Sequence, residues 1–363
     1  MESRCASTPV SSQLDDSIAN TRGLDAEDAL RALESVPLFV DLPAHELEDL
    51  ARVMQQIERP THAPLWRQGQ PADGLHVIVE GKIAISLRQP GGGELRVATL
   101  GPRDVLGEVP LLDGGTRSAS AHVESAARLL FLSRADFEAL TLRRHPTALT
   151  VRRRILLLVC ERLRNAYHEL AATLDGELDG SPRSAPPGAG ELTRTSPPTD
   201  YLRRLAMFRG FGASELSELL DRSQVALVAR GRILAAEGDT ARALYVTLNG
   251  AVEEAIERGN QRIPVGLAGP GRGFSYLGLI DGGPSALIAR ARERSLVLVV
   301  PRPVFQEYFH GTDRTSYALF GGVERDLMTA LRRKDVGFVR ASRAPRALKL
   351  SPERPWSPDR PLA

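Results

Sequence analysis

The sequence has few cysteines and no long apolar run, and each shortage excludes a class of protein. Only Cys5 and Cys160 occur in 363 residues, which excludes a disulfide scaffold and is typical of a reducing compartment. No run of about 18 apolar residues exists, so we expect no membrane span. The polar N-terminus has no apolar signal core. These observations favour a cytoplasmic protein.

The sequence also lacks the residue patterns of an enzyme. The seven histidines are scattered without metal-ligand spacing, and no nucleophile–base set or Walker-type loop is present. We therefore expect no catalysis, no metal and no cofactor. A net charge of +2 provides no global field for binding nucleic acid, so we expect no nucleic-acid partner for the folded part.

What the sequence does contain is an internal repeat. The stretch PLFVDLPAHELEDL (37–50) matches AMFRGFGASELSEL (206–219), and WRQGQPADGLHVIVEG (66–81) matches AAEGDTARALYVTLNG (235–250). Phe208 follows Phe39 by 169 positions, and the DGG turn at 281–283 follows the DGG turn at 113–115 by 168. A nearly constant offset predicts two copies of one domain.

Each copy combines short β runs, glycine turns and flanking helices. Many short strands at close spacing indicate a sandwich or roll. A short helix precedes the strands (44–54 and 213–223) and a longer one follows them (145–170 and about 316–334). The predicted fold class is mainly β with flanking helices: two tandem β-rolls of the double-stranded β-helix or jelly-roll type, each followed by a long helix. Gly321 and Gly322 are expected to weaken the second long helix by roughly 1 kcal/mol each.

The helix predicted over 145–170 carries an apolar stripe. Its members recur at spacings of three and four residues and are Leu156, Val159, Leu163, Ala166 and Leu170. Such a stripe is typical of a helix that packs along one face. Two interpretations stay open: the stripe covers its own roll, or it also pairs with a second subunit in a homodimer.

Composition predicts the domain boundaries. Pro, Gly and Ser enrich the segment between the copies, as in a linker, and the C-terminal end is basic and proline-rich. The predicted segments are a disordered N-terminus (1–28), a first domain (29–172), a linker (173–200), a second, degenerate domain (201–335) and a basic tail (336–363).

The stretch GEVPLLDGGTRSA (107–119) has the chemistry of a nucleotide site. Gly107 permits a tight turn or close approach of a ligand, and residues 109–112 can form one helical turn. Arg117 offers a forked donor to an anion such as phosphate. Glu108 accepts hydrogen bonds and suits a sugar hydroxyl. A structural salt bridge between Glu108 and Arg117 is the competing interpretation.

With its upstream glycines and its following helix, this stretch resembles the phosphate-binding cassette of cyclic nucleotide-binding domains, as in the catabolite activator family and in regulatory subunits of cyclic-nucleotide-dependent kinases. The resemblance implies that cAMP or cGMP binds, with the ribose on Glu108 and the cyclic phosphate on Arg117 and nearby backbone N–H groups. Tyr167 would stack on the base or donate to it. The residues that the resemblance implies at the ligand are Gly107, Glu108, Val109, Arg117, Ser118, Ala119 and Tyr167.

Three features modify this expectation. The activator family has hydroxyl residues on its long helix at the base, whereas the corresponding positions here are near Ala166 and Tyr167. Pro110 has no N–H where the family commonly has one, and one lost charge-assisted bond costs about 1.5–3 kcal/mol. In the second copy, Ser275, Tyr276 and Ser285 replace Gly107, Glu108 and Arg117. Without the two charges, the second copy is expected not to bind cyclic nucleotide in the usual way. The alternative is a changed ligand, with Tyr276 stacking on an aromatic group.

The sequence thus favours a regulatory sensor that binds cyclic nucleotide in its first domain and acts on an unidentified effector protein. No DNA-binding helix-turn-helix follows either roll. The alternatives are an interaction scaffold that binds no ligand, and a transcription regulator that acts through a partner or through its basic tail.

Overall fold

The computed structural model describes residues 26–40, 42–89, 92–172, 191–192, 197–258 and 261–341. These residues form two compact units, and the division between them falls between Val151 and Arg152. Each unit contains one copy of the repeat. Residues 1–25, 173–190 and 193–196 and the tail from residue 342 lie outside the described residues, as do the predictions for them. Within the described residues, helix covers 26–28, 199–200 and 336–341, and Glu191–Leu192 form a strand, so the predicted disordered end, linker and tail are each shorter than expected.

The first unit is an antiparallel roll with helices before and after it. Helices α1 (Ala26–Glu34) and α2 (Ala44–Val53) precede the strands, and α2 confirms the helix predicted over 44–54. Helix α3 (Glu108–Asp113) lies between the last two strands, and α4 (Arg134–Leu142) follows the roll. The strands are β1 (Gln55–Arg59), β2 (Pro64–Trp66), β3 (Gly74–Arg88), β4 (Glu94–Leu100), β5 (Val105–Leu106) and β6 (Ser120–Ser133).

The sheet of the first unit is built around the two longest strands. Strand β6 pairs with β1, β2 and β3, and β3 also pairs with β4 and β5. Their inward-facing side chains form one core whose most buried members are Ile78, Ile83, Val123 and Leu129. Burial of each such side chain contributes about 1.5–3 kcal/mol. Residues 74–78 of β3 are all buried, so this strand is covered on both faces where it begins.

The second unit repeats this plan after β7 (Glu191–Leu192). Its first helices are α6 (Thr199–Arg204), a 3₁₀ turn (Ala206–Phe208) and α7 (Ala213–Asp221). Helix α8 (Leu277–Ile280) corresponds to α3, and α9 (Arg302–His310) and α10 (Arg314–Ala341) close the unit. The strands are β8 (Gln224–Val228), β9 (Ile233–Ala235), β10 (Ala243–Asn249), β11 (Val252–Arg258), β12 (Gln261–Ala268), β13 (Gly273–Phe274), β14 (Ile288–Ala291) and β15 (Ser295–Pro301).

Helix α10 contains the predicted long helix of the second domain and continues without a break through Gly321 and Gly322. A Cβ atom on Gly322 would lie 2.4 Å from the carbonyl oxygen of Met207 and 2.8 Å from its sulfur. Glycine therefore allows α10 to approach the 3₁₀ turn more closely than any other residue would. Gly322 thus lowers the helix propensity of α10 but permits its contact with Met207 in the folded unit.

The long helix after the first roll, α5 (Pro146–Ala171), crosses the division between the units. The prediction assigned it entirely to the first domain, whereas its residues from Arg152 onward belong to the second unit. Arg164 donates from Nε to Asp281 at 2.5 Å and from Nη2 to the other carboxylate oxygen at 2.9 Å. Its Nη1 donates to the carbonyl of Pro284 at 2.6 Å. These three bonds hold α5 on the second cassette.

The apolar stripe of α5 is covered within the chain. Val159 and Leu163 are at most 1% exposed, and Tyr167 and Leu170 pack against Ile256 and Leu287 of the second roll. This differs from both interpretations of the stripe, since its C-terminal part covers the second roll. The homodimer stays a prediction, and these buried positions do not provide an exposed surface for it.

The fold class is confirmed as two tandem rolls of antiparallel strands with flanking helices. None of the helices in the described part of the chain is long and apolar enough to cross a membrane.

Candidate functional site

The stretch 107–119 forms a compact turn–helix–turn between β5 and β6. Gly107 begins it with φ of +83°, in the left-handed region that glycine adopts without strain. Helix α3 confirms the predicted helical turn. Pro110 is its third residue, where an N–H would have no acceptor within the helix, so proline costs the helix no bond. The amide of Gly114 closes the turn on the carbonyl of Pro110 at 2.8 Å.

Arg117 is the most constrained charged side chain of the site. It is 3% exposed, and its guanidinium lies 3.8 Å from the centre of the Trp66 ring. Its Nη2 donates to Asp73 Oδ1 at 2.5 Å. Burial lowers the pKa of Arg117, whereas the nearby charges of Asp73 and Glu108 oppose that shift. A guanidinium stays protonated in either case, so a full positive charge lies inside the roll.

The backbone on both sides of Arg117 is fixed by strand-like bonds. Its amide donates to the carbonyl of Gln70 at 2.8 Å, and the amide of Gly69 donates to the carbonyl of Arg117 at 2.9 Å. A Cβ atom on Gly107 would lie only 2.0 Å from Arg117 Nη1. The guanidinium therefore lies directly beside the peptide at the start of α3, so the first and last parts of the cassette meet.

Glu108 joins this arrangement from the first turn of α3. It is 4% exposed, and its charge acts on Arg117. The turn therefore brings the two predicted charges together, as the sequence interpretation required. The ion pair that Arg117 makes at 2.5 Å is nevertheless with Asp73, a residue that the sequence interpretation did not identify.

The remaining predicted cassette residues line the outer part of the turn. Val109 is half-buried, Ser118 is exposed, and Ala119 is half-buried. The carbonyl of Ala119 accepts a hydrogen bond from the indole nitrogen of Trp66 at 3.0 Å. This bond sets the Trp66 ring, which in turn supports the guanidinium of Arg117.

Beside the guanidinium is a cavity of about 320 Å³. Its lining includes two arginines, Arg59 and Arg117, and one carboxylate, Asp73, so an ionised lining has a net positive charge. The other lining residues are Ile57, Leu65, Trp66, Gln70, Pro71, His76 and Phe131. In the described part of the chain, Nε and Nη1 of Arg117 have no hydrogen-bond partner. Such a cavity suits an anionic group of a small ligand.

His76 lies deep in this cavity and is 6% exposed. Its ring lies 4.6 Å from the ring of Phe131 and 5.2 Å from that of Trp66. Burial, reinforced by the charge of Arg117, lowers the pKa of His76 to about 3. The imidazole is therefore neutral at physiological pH, which leaves the arginines as the cations of the cavity. Sequence reasoning missed His76 and Trp66 because both precede the cassette by about 30 residues or more.

Tyr167 is not placed with these residues. It lies on the part of α5 that belongs to the second unit, among apolar residues of the second roll. Burial raises its pKa. The sequence signal that suggested a base contact was the position of Tyr167 on the helix after the first roll, and that signal does not report which roll the helix covers. Its assignment to the first site is therefore not supported by its position.

The second copy preserves the backbone of the cassette and replaces its charges. The amide of Gly238 donates to the carbonyl of Ser285 at 2.9 Å, and the amide of Ser285 donates to the carbonyl of Asp239 at 2.7 Å. These bonds repeat those of Gly69 and Arg117, so Ser285 occupies the position of Arg117. Ser275 has φ of +59°, like Gly107.

Among the described residues, no His, Cys, Asp or Glu cluster suits a metal ion.

Tyr276, at the position of Glu108, is 4% exposed. Its hydroxyl donates to Asp326 Oδ2 at 2.8 Å, and Asp326 also pairs with Arg272 Nε at 3.1 Å. The phenol therefore belongs to a hydrogen-bonded cluster with Asp326 of α10 and Arg272. A tyrosine held in this way replaces the acceptor that the first cassette presents.

A family model for the cyclic nucleotide-binding domain matches residues 56–144 and residues 226–311. The chain therefore contains two cyclic nucleotide-binding domains. The matches fall on the two rolls that the repeat predicted, one in each compact unit. The second match includes the second cassette, although that cassette lacks the two charged residues of the first.

Several known proteins resemble parts of the chain. The cyclic AMP receptor protein of Thermus thermophilus is 36% identical over 138 residues, which are 38% of this chain and 62% of that protein. A cyclic nucleotide-gated potassium channel of Mesorhizobium japonicum is 32% identical over 106 residues, or 29% of this chain and 28% of the channel. The chain thus spans less than two thirds of these relatives.

Among solved structures, the regulatory domain of Toxoplasma gondii PKA with cAMP matches 79% of this chain and 93% of that chain, with 20% identity and a TM-score of 0.30. The N-terminal domain of a transcriptional regulator from Streptomyces coelicolor matches 41% of this chain and 99% of that chain, with 30% identity and a TM-score of 0.33.

Proposed function

We propose that the first roll binds a cyclic nucleotide, cAMP or cGMP, and that the protein is a non-enzymatic sensor. The observation that carries this proposal is the buried Arg117 guanidinium, whose Nε and Nη1 have no partner among the described residues. A cyclic phosphate would supply acceptors for both nitrogens. Glu108 would accept a hydrogen bond from the ribose, and the amides of Gly107, Val109, Ser118 and Ala119 border the same turn.

Asp73 gives the proposed site a way to stay stable without ligand. Its carboxylate is 72% exposed, whereas the guanidinium it contacts is 2% exposed. An exposed carboxylate pays little desolvation and can give way to a phosphate that enters the cavity. Ligand binding would then exchange one ionic partner of Arg117 for another, and the Trp66 ring would keep the guanidinium in place.

The output of the sensor would pass through α5, because this helix starts after the first roll and ends on the second. A ligand shifts such a helix only if it binds one of its positions more tightly than another, typically by about 1–3 kcal/mol. We propose that the second roll serves as a structural or protein-interaction domain in this step, with an unidentified effector protein as partner.

The test is calorimetric titration of the full chain with cAMP and with cGMP, in the wild type and in Arg117→Ala. We expect one nucleotide per chain, and a loss of about tenfold to a hundredfold in affinity for the variant, since a charge-assisted bond contributes about 1.5–3 kcal/mol. Arg96→Ala is the matched control, because Arg96 is an exposed arginine of the same roll that pairs with Glu124. Equal heats for the wild type and Arg117→Ala would refute the proposal.

A second candidate function is an interaction scaffold that binds no nucleotide. The contact of Arg117 with Asp73 favours it, because the guanidinium already has one anionic partner. The same titration separates the two functions. A scaffold gives no heat with either nucleotide, whereas a sensor gives a stoichiometry that also reports whether the second roll takes part.

A further inference from the structure

The second unit contains a cavity of its own, of about 280 Å³, at the cassette of the second roll. Ser275, Tyr276 and Leu277 line it, and they align with Gly107, Glu108 and Val109. The other walls come from β11, β12, α5 and α10. Every lining residue belongs to the second unit, so the cavity and its chemistry do not depend on the ligand of the first roll.

The walls of this cavity are mostly apolar. They include Leu163 and Leu170 from α5, Val265 from β12, and Leu327 and Ala330 from α10. Such walls exclude water from an organic ligand and bind its apolar body. They also make an unbalanced charge inside the cavity costly.

The cavity has two carboxylates and one cation, and only one carboxylate is balanced. Asp326 pairs with Arg272 and accepts a hydrogen bond from Tyr276. Glu254 accepts only a long backbone bond, from the amide of Ser275 at 3.3 Å. Within the described residues Glu254 forms no ion pair, and the buried hydroxyl of Ser275, which also lines the cavity, has no hydrogen-bond partner. The unbalanced group of this cavity is therefore a carboxyl.

The sign of the charge is thus reversed between the two rolls. The first roll presents a buried guanidinium at its cassette, and a serine stands at that position in the second. Glu254 lies on β11, at a position where the first roll has the apolar residue Ile85. The second cassette therefore lacks the guanidinium of the first, and its cavity contains an additional carboxyl.

We propose that the cavity of the second roll binds a small hydrophobic organic cation, an ammonium on an aromatic or branched apolar body, with its nitrogen on the Glu254 carboxylate. The hydroxyl of Ser275, whose amide contacts that carboxylate, accepts a second hydrogen bond from the ammonium. The apolar body of the ligand contacts the leucines of α5 and α10. Because α5 forms one wall, the ligand also stabilises this helix on the second roll.

The titration of Glu254 agrees with this geometry. Burial raises its pKa to about 7; the charge of Asp326 adds to the shift, whereas the amide of Ser275 and the charge of Arg272 oppose it. Tyr276 and Tyr167 also face this carboxyl, and the pKa of each is raised, so neither phenol ionises in the same range. Without ligand, Glu254 is then partly protonated near neutral pH. A cation favours the ionised carboxyl and therefore binds more tightly as the pH rises.

The experiment compares three ligands that share a phenyl ring and differ in charge: phenethylamine, phenethyl alcohol and hydrocinnamate. Each is titrated calorimetrically into the full chain about one pH unit below and one above the Glu254 pKa near 7. We expect phenethylamine to bind best, and about tenfold more tightly at the higher pH, because the carboxyl no longer has to lose a proton. The alcohol and the carboxylate should bind more weakly, without this rise.

Three variants locate the site. Glu254→Gln preserves the shape and should abolish both the preference for the amine and its pH dependence. Glu257→Gln, a change on the same strand at a residue outside the cavity lining, should preserve both. Ala330→Phe should block the ligand by filling the cavity while the carboxyl remains. Tightest binding of hydrocinnamate, an unchanged amine affinity in Glu254→Gln, or no heat with phenethylamine would each overturn the proposal.

Discussion

Substitution of Gly107 by alanine tests the geometry of the first cassette, because Gly107 has a left-handed backbone and lies close to Arg117. Its φ is +83°, and a Cβ atom would lie 2.0 Å from Arg117 Nη1 and 2.8 Å from the carbonyl oxygen of Gly74. In Gly107→Ala, the guanidinium has to move, since real Cβ atoms do not approach a neighbour so closely. Gly69 provides the matched control: its φ is +88°, and nothing lies within 4 Å of its Cβ position.

The two substitutions separate the cost of the backbone from the cost of the displaced arginine. An L-residue in the left-handed region costs about 1–2 kcal/mol at either site. Gly107→Ala also disturbs the charged bond from Arg117 to Asp73, which contributes about a further 1.5–3 kcal/mol. We therefore expect Gly107→Ala to lower the free energy of unfolding by roughly twice as much as Gly69→Ala.

The assay is chemical unfolding of the full chain for the wild type and both variants, together with cAMP and cGMP titration. Gly107→Ala should lose about tenfold to a hundredfold in nucleotide affinity, because the guanidinium is displaced from the cavity. Gly69→Ala should bind nearly as the wild type does. If the two variants lose the same stability and the same affinity, the guanidinium does not lie against Gly107 and the reasoning on the cassette is wrong.

Three further predictions concern other parts of the chain. His76 is neutral when folded, with a pKa near 3, whereas the unfolded chain takes up a proton below pH 6.5. His76 therefore lowers stability by about 1.4 kcal/mol for each pH unit between about 6.5 and 3, and by no more below that range. His76→Phe should remove this contribution, and an unchanged acid slope of the unfolding midpoint would contradict it. Arg164→Ala, which breaks the half-buried pair with Asp281, should cost about 1.5–3 kcal/mol. Arg222→Ala, at an exposed pair, should cost clearly less because solvent screens that pair, and equal losses would contradict the role of Arg164. Pro110→Ala should restore an N–H to α3 and tighten cAMP or cGMP binding by about tenfold or more without destabilising the helix; calorimetry with no gain in affinity would show that this N–H does not face the ligand.

The repeat, the two rolls and the local shape of the cassette follow from the amino-acid sequence alone. The short helix at 108–113, the left-handed turn at Gly107 and the meeting of Glu108 with Arg117 depend on residues within a dozen positions of one another. Glycine, proline and alternating apolar residues act over such distances. For the same reason, the loss of charge in the second cassette could be read directly from the alignment of the two copies.

The distant residues that complete each site are brought together by folding and have no local signal in the sequence. Asp73 is 44 positions from Arg117, and Arg164 is 117 positions from Asp281. An amphipathic pattern shows that a helix buries one face but does not show what covers it, and this is why Tyr167 was assigned to the first roll and lies against the second. In the sequence, Glu254 is one polar residue of a strand. Folding places it in a mostly apolar cavity, where it has no ion-pair partner among the described residues.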